Sequence, residues 1–553
     1  MRQFAVVCLL VVWLVFQPSV MLGSALNDEA IGGKIAHMSL EQKVGQVMIG
    51  SFAGPVLSPE LVHQLSELHL GGVILYGVTG NIESPEQVAK LVNDMQRTAR
   101  DAGNAPLFIS IDQEGGRVTR ISRGVTPFPG NMALGATGSP ELAGEAARVM
   151  ARELRLLGIN MNFAPVLDVN SNPHNPVIGV RSFGSSPSAV AAMGAAVVKS
   201  YYDESVIATA KHFPGHGDTG LDSHFALPVV NKSLEQLRAM ELLPFQAVAK
   251  TVPAIMTAHI VVPAIDKTRP ATLSPAALQF LRHELGFQGL IITDSMSMAA
   301  IAKHWPKEEA AIQAFLAGAD ILLYGADINS SVHDQTLVHA TLVKAVRDGR
   351  IPESRLDESV RRILMMKQQF SITGEEQGSC RQEELASAEH IAVAEKVARD
   401  SLTLARYKEA LLPLTGAVKI PIFWPDEYKE KLAPLLTELP QLEPHYFPVR
   451  AAAAHRAQAK MIAAKSPVVL VGTYNLASQT EWKQFVNSLG GRRTVVLAVR
   501  SPYDLMFLPD AAVCIAAYDD NYVTMMMLGK VLKGQLAMRG HLPVVIPGVD
   551  NED

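Results

Sequence analysis

Asp222, Ser223 and His224 place a carboxylate two residues from an imidazole. In an extended or turn segment such a carboxylate accepts the ring N–H, fixes the tautomer and raises the proton affinity of the imidazole. The pair is therefore a candidate general acid/base near neutral pH. Asp294 closes the apolar run 289–293. An ionised carboxylate in that place can attack an electrophilic carbon and form a covalent intermediate. With a separate proton donor this is the logic of retaining glycoside hydrolysis, His224 standing in for the usual second carboxylic acid. The competing role for a lone Asp at a strand end is a helix N-cap.

The segment Lys211-His212-Phe213-Pro214-Gly215-His216-Gly217-Asp218-Thr219 holds the densest polar cluster. Pro214, Gly215 and Gly217 forbid a regular helix, so it is a loop leaving a strand. Two readings stand for it. His212, His216, Asp218 and His224 are residue types that ligate a metal, or His216, Asp218 and Thr219 bond the loop backbone. Asp112 to Arg120, DQEGGRVTR, brings a carboxylate and an arginine to another strand end, a combination suited to bidentate hydrogen bonding with sugar hydroxyls. Its adjacent glycines are a weak signal for phosphate. Arg181 is a further candidate donor, with a surface ion pair as the alternative.

Elements must position these groups. Short apolar runs rich in Val, Ile and Leu recur at 47–52, 72–76, 107–112, 162–167, 206–211, 254–259, 290–294 and 320–324. Amphipathic stretches separate them, which predicts parallel strands joined by helical crossovers. Ser39 with Gln42 is a capping-box pattern opening a helix. Eight such units predict a (β/α)8 TIM-like barrel over residues 26–372, with polar strand ends Asp112, Lys211, His259 and Asp294 facing its mouth. Residues 373–402 read as a linker and connecting helix. A second set of runs at 418–424, 467–473, 494–499, 511–517 and 542–546 predicts a smaller α/β sandwich domain over 403–553, with a roughly parallel sheet.

Lys+Arg is 49 against Asp+Glu 54, a formal net charge of −5, so no broad basic field supports nucleic-acid binding. The three cysteines, Cys8, Cys380 and Cys514, cannot build a disulfide framework. Residues 4–16 are apolar behind Arg2, and small residues Gly23 and Ala25 follow, the layout of a signal peptide over 1–25. The expectation is export to the periplasm or the exterior, with an uncleaved membrane anchor as the alternative.

IDQEGGRVTR, FAPVLDVN, RSFG, KHFPGHGDTGLDSH, MTAHIVVPAID with PATLSP, and ITDSMSM occur in one order over about residues 36–370. Through them the sequence resembles glycoside hydrolase family 3, in its bacterial β-N-acetylglucosaminidase branch. SLTLARYKEALLPL, SPYDL and HLPVVIP resemble the family's C-terminal α/β domain more loosely. The resemblance implies Asp294 as nucleophile, His224 as acid/base and Asp222 as its partner. It implies that Asp112, Arg120, Arg181, Lys211 and His212 hold the terminal sugar, without metal or organic cofactor. The implied partner is an N-acetylglucosamine-terminated oligosaccharide from cell-wall fragments or chitin, with cell-wall association open and no nucleic acid. Two departures stand out. Val180 replaces a common Asp before Arg181, with the expectation of a looser arginine. Ser295 replaces a second Asp after Asp294, removing a rival nucleophile. The alternatives are a β-glucosidase or β-xylosidase of the same family, and a sugar-binding protein that has lost catalysis.

Overall fold

The computed structural model describes residues 29–327, 331–375, 378–416 and 418–549. The signal-peptide reading of residues 1–25 lies outside them. Among the described residues no helix is long and apolar enough to cross a membrane.

The first unit is a parallel sheet of eight strands: β1 (Met48–Ser51), β2 (Gly72–Leu75), β3 (Phe108–Ile111), β4 (Met161–Asn162), β5 (Ile207–Phe213), β6 (Ala254–Thr257), β7 (Leu290–Thr293) and β8 (Leu322–Tyr324). They are ordered β7-β6-β5-β4-β3-β2-β1-β8, so sequential strands are neighbours and β8 returns to β1. A bridge between Ile292 and Ile321, with the Thr293 N–H donating to the Ile321 carbonyl at 3.0 Å, joins β7 to β8 and nearly closes the barrel. Every strand residue is buried, as the apolar runs require of strands covered on both faces.

The crossover helices start where side chains cap them. Pro85–Asp101, Pro140–Leu156 and Pro187–Asp203 each carry Pro in the first turn, and Ser84, Ser139 and Ser186 accept a backbone N–H at their starts. Ser39 and Gln42 form the expected capping box. β4 is shorter than the apolar run 162–167, because Pro165 has no N–H to give a ladder. The chain nonetheless stays beside β5, with the Leu167 N–H donating to the Lys211 carbonyl at 2.6 Å. β5 is longer than expected and carries His212 and Phe213.

The second unit is a sheet of six strands: β9 (Thr403–Tyr407), β10 (Ile420–Pro425), β11 (Leu442–Phe447), β12 (Val469–Thr473), β13 (Thr494–Ala498) and β14 (Val513–Ala516). They are ordered β11-β10-β12-β13-β14-β9, parallel except at the β14–β9 edge. The run at 542–546 is not a strand. It lies against the barrel unit instead, the Pro543 carbonyl accepting from Ser185 N–H at 3.0 Å. Val544 and Ile546 are buried in the core cluster that also holds sheet residues such as Val471, Val496 and Ala516 together with Met132, Ala133 and Ala136 of the barrel unit, so the segment is apolar without pairing as a strand. Edge strands β9 and β11 take its place, and their partly exposed residues break the apolar pattern.

The two units share polar anchors. Glu153 accepts from Thr126 and from the Ala386 N–H and His390 ring at the start of the helix Ala388–Ser401. Asn170 donates to the Tyr503 hydroxyl at 2.6 Å, and Asn521 to the Pro127 carbonyl at 3.1 Å. Cys380 and Cys514 are both free thiols, Cys514 buried within β14.

Candidate active site

The carboxyl ends of the barrel strands deliver the candidate residues to one place. Asp112 follows β3, Lys211 and His212 lie on β5, and Asp294 follows β7. Arg120 comes from the loop after β3, Arg181 from the 3-10 turn Gly179–Arg181, and His224 from the loop after β5. Asp112, Arg120, Arg181, Lys211, His212, His224 and Asp294 all line a cavity of about 310 Å³. Asp222 stands behind His224. All residues lining the cavity fall between Tyr76 and Asp327, within the barrel unit.

The loop after β5 reaches this position through glycine. Gly215 has φ +131°, a conformation that side chains rarely adopt. A Cβ on Gly217 would stand 1.8 Å from the Val169 carbonyl oxygen, so only glycine lets the loop lie on that backbone.

One wall is a buried charge lattice. Lys211 Nζ lies 2.8 Å from Asp112 Oδ1 and 2.7 Å from Glu114 Oε1. Arg181 grips Glu114 with both arms of its fork, Nε to Oε2 at 3.0 Å and Nη2 to Oε1 at 2.8 Å. Arg120 Nη2 reaches Asp112 Oδ2 at 3.3 Å and its guanidinium sits 5.3 Å from the Tyr76 ring centre. Burial would raise the Glu114 carboxyl, but Arg181 and Lys211 outweigh it and hold it down at about 2. Burial likewise opposes, and Lys211 and Arg120 overcome, in holding Asp112 below the usual carboxylate range. Val180 therefore does not loosen Arg181; the expectation from that departure fails because Glu114 supplies the bidentate partner.

His212 is fixed from behind. Its Nδ1 lies 2.6 Å from Asp168 Oδ2, leaving Nε2 as the ring nitrogen without a partner among the described residues. Asp168 is fully buried and also accepts the backbone N–H of His216 at 2.6 Å.

The same cavity is lined by Asp294. Its Oδ1 accepts the Ser295 N–H at 2.7 Å. Burial disfavours its charge, yet His212, His259 and His224 hold its carboxyl below the ordinary value. His224 Nδ1 lies 2.7 Å from Asp222 Oδ1, which also accepts the His224 N–H at 2.9 Å. That hydrogen bond raises the imidazole's proton affinity, burial opposes it, and the Asp294 charge adds to the rise. The geometry thus joins an anion and a protonatable imidazole in one cavity.

Other expectations need correction. His259 is not a donor at the mouth: its Nδ1 meets Thr272 Oγ1 and its Nε2 meets the Ser295 carbonyl, both at 2.8 Å, so both nitrogens are spent on scaffold. The metal reading of the loop fails on donor direction. His216 turns both nitrogens to hydroxyls, His224 turns Nδ1 to Asp222, and Asp218 accepts from Ser171 at 3.1 Å. No cluster of metal-ligating side chains occurs among the described residues. Glu114, Asp168, Tyr76 and Asp327 take part in the site without having been singled out. Glu114 and Asp168 stood inside quoted motifs, where an acid next to a strand end was the available signal. Asp327 accepts from the Ser295 hydroxyl, and burial followed by the Asp294 charge raises its carboxyl.

Fold and site together define a barrel glycoside hydrolase. The chain belongs to glycoside hydrolase family 3: residues 39–366, more than half its length, match the Glycosyl hydrolase family 3 N terminal domain. It is 41% identical over 332 residues to Beta-hexosaminidase A of Pseudoalteromonas piscicida, covering 56% of this chain and 55% of that enzyme. The chain thus spans about half the length of that relative. It is 35% identical to a Beta-hexosaminidase of Idiomarina loihiensis, covering 60% of this chain and 95% of the relative. In structure it is similar to a family 3 β-N-acetylglucosaminidase from Paenibacillus sp. str. FPU-7, with a TM-score of 0.85 and 38% identity over 93% of this chain and 100% of the other.

Proposed function

We propose that the protein is an exported, exo-acting, retaining β-N-acetylglucosaminidase that removes a terminal β-linked N-acetylglucosamine from cell-wall fragments or chitin oligosaccharides. The observation that carries the reading is that Asp294 and His224, the latter bonded to Asp222, line a single cavity together with Asp112, Arg120, Arg181 and Lys211. At about 310 Å³ the cavity is at the lower end of small-molecule sites, a size suited to one sugar ring rather than a long chain. The names of the hexosaminidase relatives and of the Paenibacillus structure supply the sugar. The apolar segment at 4–16 supports export.

The reaction proceeds in two displacements. An Asp294 oxygen bonds to the anomeric carbon as the glycosidic bond breaks. The electron pair leaves with the aglycone oxygen, which takes the proton from His224 Nε2. The neutral imidazole then takes a proton from water, whose oxygen bonds to the anomeric carbon while the bond to Asp294 breaks. Carboxylate and imidazolium are restored, and the sugar keeps its β configuration. An imidazolium suits this place because it attracts the ionised Asp294, where a second carboxylate would repel it. Asp222 holds the tautomer that leaves Nε2 toward the substrate. Asp112, Arg120, Lys211, Arg181 and His212 Nε2 present donors and acceptors to the hydroxyls and the acetamido group.

Comparing turnover of aryl β-N-acetylglucosaminide with aryl β-glucoside tests the reading. Preference for the acetamido sugar is expected. Preference for the glucoside would favour the alternative suggested by a relative from Cellulomonas fimi, 33% identical and named Beta-N-acetylglucosaminidase/beta-glucosidase. Turnover of neither would leave the binding-protein alternative standing.

A further inference from the structure

The loop that carries the acid/base pair holds one buried side chain that the catalytic account does not use. Ser223, between Asp222 and His224, is 2% exposed, whereas Leu221 and Phe225 on either side of the triplet are 53% and 65% exposed. The triplet lies in a turn, with the Phe225 and Ala226 N–H groups donating to the Asp222 carbonyl, and the Ser223 side chain points inward while Asp222 holds the His224 ring. Its Oγ lies 3.0 Å from His216 Nε2, and its carbonyl accepts the Ala300 N–H at 3.2 Å.

The direction of the His216 bond can be deduced. The Thr219 hydroxyl donates its one hydrogen to the His216 carbonyl at 3.1 Å. Its oxygen, 2.8 Å from His216 Nδ1, must therefore accept from that nitrogen. Nδ1 carries the ring proton, Nε2 is the acceptor, and the Ser223 hydroxyl donates to it. Burial pushes the His216 imidazole down to about 4, consistent with a neutral ring. His216 is itself rooted: its N–H donates to Asp168 Oδ1 at 2.6 Å, and the other oxygen of that carboxylate holds His212 Nδ1 at 2.6 Å.

We infer that Ser223, latched to the His216 ring, is a positioning residue that sets how far His224 reaches into the cavity. Through Asp168 the same chain of bonds ties that reach to His212 on the sugar-facing wall. The inference rests on the proposed acid/base role of His224. Ser223 also lines the cavity, and its role is to place the proton donor rather than to transfer the proton; removing its hydroxyl loosens that donor.

The test is kcat/KM over a series of aryl and alkyl β-N-acetylglucosaminides graded by leaving-group acidity, for Ser223→Ala, Ser223→Thr and His224→Ala. Ser223→Ala is expected to lose about 10- to 100-fold on the poorest leaving groups, the scale of a misplaced catalytic group. It should lose little on the most acidic leaving group and bind free N-acetylglucosamine as the parent does. Ser223→Thr, which keeps the hydroxyl, should restore the shallow dependence. A uniform loss across the series, or none, overturns the inference. If His224→Ala itself shows no steeper dependence, the acid role fails instead. Should Ser223→Ala not fold, Ser223→Cys keeps the shape with a weak donor and is read on the same series.

Discussion

The two sides of the cavity are built in opposite ways. On the sugar-facing side, the Lys211 and Glu114 side chains are each 2% exposed, and every charge meets an opposite one. On the other, the Asp222 side chain is 22% exposed and that of His224 48%, on the loop after β5, where Ser223 between them bonds to His216. A ring whose hydroxyls must be read in fixed geometry suits a wall with no freedom. A group that gives a proton in one step and takes one in the next suits a segment that adjusts. Under the proposed mechanism, binding and proton transfer are placed on separate supports, with Asp294 at the end of barrel strand β7.

Substitutions can break this division. The largest loss belongs to Asp294→Ala, expected to lower kcat by more than about 10³-fold with the thermal midpoint little changed. Next is Glu114→Ala, which strands Arg181 as a buried cation and leaves Lys211 with Asp112 alone. Losing one partner of a buried pair costs about 3–5 kcal/mol, read in urea unfolding, and KM should rise because the wall loses its shape. This side also has a pH signature. Glu114 is held at about 2 in the fold against 4.5 ordinarily. Its contribution to stability is present above 4.5 and is lost as pH falls toward 2. Glu114→Gln should flatten that part of a stability-against-pH curve.

On the loop side, His224→Ala should cost about 10²- to 10⁴-fold in kcat/KM on substrates with poor leaving groups and much less on activated aryl glycosides. Asp222→Asn should have the smallest effect, best seen in the pH profile. Protonated His224 is the reactive form in the first step, and its proton affinity is raised by Asp222. The alkaline limb of kcat/KM therefore lies above the ordinary histidine value and should move to lower pH in Asp222→Asn. The acid limb, set by Asp294, should stay below the ordinary carboxylate range.

The asymmetry also explains what the sequence disclosed. The barrel was legible because buried parallel strands leave continuous apolar runs, and strand ends name Asp112, Lys211 and Asp294 directly. Asp222 and His224 were legible because their bond is local, two residues apart. Glu114 and Asp168 were not, because their roles lie in partners distant along the chain: Arg181 for Glu114, and His212 for Asp168. His259 has the same placement as Asp294 at a strand end, and only its contacts to Thr272 and Ser295 reveal scaffold. Edge strand β11 hid because only Leu442 and Phe447 of its residues are buried, and the run at 542–546 misled because Val544 and Ile546 enter the core without pairing as a strand.

The proposed mechanism requires a covalent bond between Asp294 and the sugar. Incubation with an activated, fluorinated N-acetylglucosaminyl donor, which slows release, should add the mass of one sugar to the intact protein. Peptide mapping should place that mass on the segment carrying Asp294, and Asp294→Ala should remain unlabelled. A sugar found on another residue, or no adduct while the donor is being turned over, would contradict the account.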